Sequence, residues 1–238
     1  RVWDGVAITS VVLGRLVPLA SYFGHALPGV LRLPEAVWWA AAASVSVALA
    51  STALTISLAL PIAVRAALGR GTAVELAGLV GLVASPLVIG TGLFIMINPW
   101  IDPATLALPV TVVVNALMAL PFAARVLIPA VRDCLASYGR LGVSLGLTGM
   151  AFVRVVLLPR LAGRLGFCAG LAAALSMGDL GVVVLFADPE TATLPLQMAR
   201  LMGAYRMEDA ASAGLLLTFL SFGAFALFDG LGRRYAGD

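Results

Sequence analysis

Long apolar runs recur along the chain, separated by short segments rich in arginine, aspartate and proline. The clearest cover residues 36–64, 76–101, 105–124, 167–187 and 210–228, and only the fourth contains a charge, Asp179. A bilayer core about 30 Å thick is crossed by about 20 apolar residues in a helix, and in lipid every backbone N–H and C=O must be paired within its own segment. Each run therefore predicts a transmembrane helix. The run at 76–101 is longer than needed and contains Asn98-Pro99, so its span is predicted to end near Ile97. A sixth run, 5–23, is interrupted by Arg15 and Pro18; it either spans with Arg15 facing protein or lies partly in the interface. The expected fold is all-α: one polytopic transmembrane domain over 1–238, with about six spans.

Between the third and fourth clear runs lies a polar, arginine-studded segment, 131–164. Within it Leu135, Tyr138, Leu141 and Leu145 recur at helical spacing, with Arg132, Ser137, Arg140 and Ser144 on other faces. This predicts a short helix at the membrane surface, apolar on one side and basic elsewhere. Gly146 and Gly149 then permit a sharp reversal, and 152–158 returns the chain toward the membrane before Pro159. Two readings follow from the residues alone: a docking element for a soluble partner, or an interfacial helix held by anionic lipid.

Composition sharpens the picture. The chain has 238 residues, 61% hydrophobic and 11% charged, against about 25% charged in a soluble domain, and its mean hydropathy is +1.05. All 15 Lys/Arg positions are arginine. With no lysine there is no Walker A lysine, no Schiff base and no lysine base, so nucleotide hydrolysis coupled to this chain must occur on another chain or domain. The two cysteines, Cys134 and Cys168, have no metal-type spacing and are expected to be reduced and structural. The single His25 has no neighbouring ligands, and it would have to serve as the base of any serine or cysteine triad. A membrane enzyme, a metal centre and a resident cofactor all lack residues to build them. The chain starts at Arg1 without a secretory-type leader, which reads as a segment cut from a longer polypeptide.

Arginine counting sets orientation. With the N-terminus in the cytoplasm and all six runs spanning, the inner side holds Arg1, Arg65, Arg70, Arg125, Arg132, Arg140, Arg154, Arg160, Arg164, Arg233 and Arg234, whereas the outer side holds Arg32, Arg200 and Arg206. The segment 131–164 is thereby cytoplasmic and 188–209 external. Prolines 61, 86, 109 and 121 sit within runs where neighbours must re-satisfy the backbone, and Gly166-Phe-Cys-Ala-Gly170 permits close helix approach.

Asp179, in Ser176-Met-Gly178-Asp-Leu-Gly181, is an acid within an apolar run. A carboxylate at the bilayer centre costs about 2.5–3.5 kcal/mol, so it should face the bundle interior or a wet path, where it serves a cationic substrate, a gating arginine or a neighbouring helix. The external segment predicts a short helix capped by Thr193, with Pro195 in its first turn and Gly203 at its end. A segment so apolar should fold back over the pathway mouth or meet an extracytoplasmic partner.

The cytoplasmic segment resembles the EAA loop of ABC importer permeases: a glycine, Gly146, followed at the family's spacing by Leu158-Pro159. Arg140-Leu141-Gly142 stands where Glu-Ala-Ala would be, which puts the usual glutamate's ion pair in doubt here. Further on, Ser-Met-Gly-Asp-Leu-Gly (176–181), Thr-Leu-Pro (193–195), Met-Gly-Ala-Tyr-Arg (202–206) and Asp209-Ala-Ala resemble the C-terminal half of thiamine ABC transporter permeases, over about 36–234. The resemblance implies a type I importer permease in the bacterial inner membrane, most similar to thiamine permeases and related to iron(III) permeases. It implies a cytoplasmic ATPase dimer, a second permease half, a periplasmic binding protein and the lipid bilayer as partners, with no nucleic acid. It assigns coupling to Tyr138, Arg140, Leu141, Gly142, Leu145, Gly146 and Pro159, and the pathway to Ser176, Gly178, Asp179 and Tyr205. The competing class is a proton-coupled secondary transporter that uses Asp179.

Overall fold

The computed structural model describes residues 26–69, 85–186 and 192–236, together with Gly14 and Gly24. The first apolar run, His25, the start of the second clear run and residues 187–191 lie outside the described residues.

Among the described residues, seven helices follow one another from Glu35 onward. They are α1 (Glu35–Ala67), α2 (Pro86–Ile97), α3 (Ala107–Ser144, entered through a 3₁₀ turn at Pro103–Leu106), α4 (Met150–Met177), α5 (Val183–Phe186), α6 (Leu194–Gly203) and α7 (Met207–Ala236). There is no strand among the described residues. Four of these helices, α1, α3, α4 and α7, are long and apolar enough to cross a membrane, while α2 is a 12-residue apolar helix. α2 ends at Ile97, where Asn98-Pro99 predicted its stop, and it starts at Pro86, whose missing N–H costs nothing in a first turn. Pro61 in α1 and Pro121 and Pro129 in α3 are carried inside the long helices.

The four long helices form the bundle. α4 touches α1, α3 and α7, and its packing on α7 is the most extensive of all. The glycine pattern explains that closeness: a Cβ on Gly166 would lie 2.5 Å from the Phe228 carbonyl oxygen, and one on Gly232 2.7 Å from Gly166 Cα. Without side chains at this crossing the two backbones meet, which in lipid, where helix association relies on packing, is the strongest device available.

Buried side chains gather at both ends of the bundle. At one end Ala59, Ala63 and Ala66 of α1 pack with Leu127 and Val131 of α3 and Phe152, Leu157 and Leu161 of α4. At the other, Val37 and Ala41 of α1 meet Leu194 and Leu201 of α6 and Ala210 and Ala213 of α7, while α2 and α5 close on the start of α3. Arg65, Arg132, Arg140, Arg154 and Arg160 fall at the first end and Arg32, Arg200 and Arg206 at the second, in line with the charge asymmetry of the sequence.

Candidate functional site

Two regions carry the predicted functional residues. The first is the hairpin between α3 and α4. The sequence predicted a separate short helix there; instead α3 runs on unbroken for 38 residues to Ser144. There is no proline between Pro129 and Pro159, and Gly139 and Gly142 are carried inside the helix, so the stop comes at the left-handed Gly146. The predicted apolar face divides as a result. Leu135 and Tyr138 pack on the core of the bundle, whereas Leu141 and Leu145 are 55% and 66% exposed.

The turn itself is a Schellman motif. Leu147 N–H donates to the Gly142 carbonyl at 2.8 Å and Gly146 N–H to that of Val143 at 3.1 Å, with Gly146 left-handed at φ +71°. Gly149 follows at φ +56°, and α4 begins. Gly142 has a second role that its position in the sequence did not announce. It is buried, and the Phe152 ring lies across its face. The hairpin is further tied by the Arg160 guanidinium, 4.6 Å from the centre of the Tyr138 ring. A π-helical stretch, Val153–Leu157, widens α4 just before Pro159, where the proline ring would otherwise meet the carbonyl of the preceding turn. The exposed tip presents Leu141, Val143, Leu145 and Met150, with Arg140 and Arg154 exposed beside them.

The second region surrounds Asp179. The sequence placed this acid mid-helix; the structure ends α4 at Met177, with Gly178 as its C-cap, so Asp179 lies in a break before α5. Broken helices at membrane depth occur where the irregular backbone lines a cavity. Here the cavity is about 380 Å³, lined from α3 by Asn115, Met118 and Phe122, from α4 and the break by Ser176, Gly178 and Asp179, and closed by Pro86 of α2. Asp179 forms an Asx turn in which Oδ1 accepts Gly181 N–H at 3.2 Å, while the buried Oδ2 has no partner among the described residues.

Behind Asp179 sits a buried polar relay not foreseen from the sequence. Asn115 Nδ2 donates to Ser176 Oγ at 2.9 Å, Ser176 and Ser51 hydroxyls are 2.8 Å apart, Ser51 reaches the Ala48 carbonyl at 3.1 Å, and Thr55 donates to the Ser51 carbonyl at 2.7 Å. All protons are accounted for if Asn115 donates to Ser176, Ser176 to Ser51 and Ser51 to Ala48. The relay pins α3, α4 and α1 together one turn before the break. A lone asparagine in an apolar run was the available signal.

Tyr205 is not among the residues that line this cavity. It is 89% exposed and occupies the left-handed position, φ +59°, of a Schellman motif that ends α6, in which Arg206 N–H donates to the Leu201 carbonyl at 2.9 Å. At the other end of α6, Thr193 occupies the N-cap position without capping. Its hydroxyl is buried with no partner among the described residues, and Ser44 of α1 instead accepts the Leu194 N–H at 2.8 Å. α6 thus folds back on α1 and α7. Both cysteines are buried and free.

An all-α, multi-pass membrane bundle with a long polar hairpin at its arginine-rich end and a cavity at a broken helix is the class these features define. No family model matches the chain. Among curated proteins, it is 34% identical over 247 residues to the thiamine transport system permease protein ThiP of Salmonella typhimurium, an alignment that takes in 99% of this chain and 46% of the relative. The protein of the same name from Escherichia coli is 33% identical over 245 residues, 98% of this chain and 46% of its own. That from Brucella suis is 33% identical over 237 residues, 96% and 44%. The chain is a homologue of these transport permeases over nearly its whole length, it spans about half the length of the curated relatives it matches, and it is a multi-pass protein of the bacterial inner membrane.

Proposed function

We propose that the chain is a transmembrane permease half of a type I ABC importer, carrying thiamine or its phosphates delivered by a periplasmic binding protein. The observation that carries the reading is the α3–α4 hairpin. Its Gly146 Schellman turn and Leu158-Pro159 stand at the spacing of a coupling loop, and its tip exposes leucines and arginines that a soluble ATPase can grip. The relatives' printed name supports thiamine as the cargo. The cavity supports it over iron(III), because Asp179 is the one acidic residue among the described residues that line it.

In this reading the hairpin is cytoplasmic. Closure of the ATPase dimer on ATP draws the hairpins of the two permease halves together. Because α3 and α4 are continuous from tip to cavity, the displacement is transmitted as a rigid lever to Asn115, Ser176 and Asp179. Loaded binding protein and ATP must both favour the outward-facing state for transport to be coupled. Tyr138, Arg140, Leu141, Gly142, Leu145, Gly146 and Pro159 form or shape the coupling element, and Ser176, Gly178 and Asp179 the pathway. Tyr205, exposed on the outer side, suits contact with the binding protein.

The test is co-purification of the full-length permease with its ATPase, wild type against Gly146→Asp and the milder Leu145→Ala. Loss of substrate-stimulated ATP hydrolysis in both, with folded permease by size exclusion, is the expected result. Uptake collapsed by an uncoupler, with no ATPase retained, would replace this reading with proton coupling at Asp179.

A further inference from the structure

The cavity beside Asp179 makes an unbalanced chemical demand. In the Asn115–Ser176–Ser51 relay the Asn115 amide N–H and both serine hydroxyls are paired. Asp179 Oδ1 is held by Gly181 N–H, but Oδ2 is buried with no partner among the described residues. No arginine is among the described residues that line the cavity to balance this carboxylate. The last carbonyls of α4 add to the same sign, since a helix C-terminus carries about half a negative charge. Opposite stand Asn115, Met118 and Phe122, which recur at spacings of three and four and so share one face of α3, with Pro86 at the edge of the space. A carboxylate oxygen, a helix C-terminus, an aromatic ring and a thioether around about 380 Å³ form a surface complementary to a desolvated cation with a flat body.

We propose that this cavity is a binding site, within the membrane domain itself, for one small ring-bearing organic cation, with the Asp179 carboxylate as its charge partner and the Phe122 ring as the wall against which it stacks. The inference deepens the importer reading and rests on it for the cargo. It adds that the permease selects its cargo by charge and by ring, in addition to any selection by a delivering protein. Asn115 and Ser176 act as positioning residues: they fix the end of α4, and with it the break that presents Asp179.

The experiment measures equilibrium binding to the full-length transporter, assembled with its ATPase in nanodiscs and without binding protein. The probes are thiamine, choline (a cation without a ring) and thiochrome (a neutral fused-ring relative of thiamine). Saturable thiamine binding is expected, about tenfold or more tighter than either other probe. Phe122→Leu should weaken thiamine by about tenfold, while Phe122→Tyr restores it. Asp179→Asn should abolish the preference for thiamine over thiochrome. Equal binding of all three probes, no saturable binding, or thiamine binding indifferent to both Phe122→Leu and Asp179→Asn would overturn the site. Thiamine uptake into proteoliposomes with binding protein and ATP is scored separately. Uptake without cavity binding sinks the site and keeps the importer; cavity binding without ATP-driven uptake keeps the site and sinks the importer.

Discussion

Gly142 and Phe152 face each other across the α3–α4 hairpin, and a Cβ on Gly142 would lie 2.6 Å from Phe152 Cδ2. The ring is itself buried, 8% exposed, among α1, α3 and α4 side chains, so it has little room to retreat. Gly142→Ala is therefore expected to cost about 1–3 kcal/mol, the range for overpacking a tight core. Thermal unfolding in detergent would show a lowered Tm, and adding Phe152→Leu should recover part of it. An unchanged Tm for the single variant would mean that the ring does not rest on this glycine.

The α4–α7 crossing gives a contrast within one helix. Gly166→Ala drives a methyl group into the Phe228 carbonyl and Gly232 backbone, neither of which can rotate away, whereas Gly163→Ala meets only Ala236 Cβ at 3.8 Å. Gly166→Ala should loosen the bundle, read as faster proteolysis and a lower Tm, and Gly163→Ala should match wild type. Equal behaviour of the two would contradict the crossing.

Two Schellman turns differ in the residue at their left-handed position, Gly146 after α3 and Tyr205 after α6. Left-handed backbone costs an L-residue about 1–2 kcal/mol relative to glycine. Tyr205→Gly is expected to raise stability by about 1 kcal/mol and Gly146→Ala to lower it by a similar amount. Chemical or thermal unfolding of the purified permease reads both signs. If Tyr205→Gly also impairs stimulation by binding protein, the retained strain belongs to an exposed contact that the outer surface needs.

The buried relay predicts coupling between α3 and α4. Ser176→Ala removes the 2.9 Å acceptor of the Asn115 amide and leaves it only the 3.4 Å bond to the Ser176 carbonyl, a cost of about 1–3 kcal/mol. Asn115→Ala alone leaves Ser176 its Ser51 partner at 2.8 Å and should cost less. A double-mutant cycle is expected to return an interaction of about 0.6–1.7 kcal/mol. Additive costs would show that the two side chains do not act together.

Much of this molecule was legible before its structure. The apolar runs located α1, α3 and α7, Asn98-Pro99 ended α2, and the 166–170 glycine pattern anticipated a close crossing. These signals are local, because a helix in lipid must satisfy its backbone within its own segment. Gly146 belongs with them, since a glycine that closes a helix is written in the few residues around it.

What the sequence left open were the distances between residues far apart in it. Nothing local says that Ser44 caps Leu194 from 150 positions away, so Thr193 was read as its own cap. Nothing local says that Phe152 needs Gly142 bare, or that Phe122 and Asn115 share a wall with Asp179. By itself, then, the sequence determined which stretches form the long apolar helices α1, α3 and α7, where α2 ends and which end carries the arginines. The tertiary structure decided where α4 breaks, what the acid at that break faces and which hydroxyls hold it there, because those outcomes depend on side-chain packing and hydrogen-bond pairing between segments that no periodicity encodes.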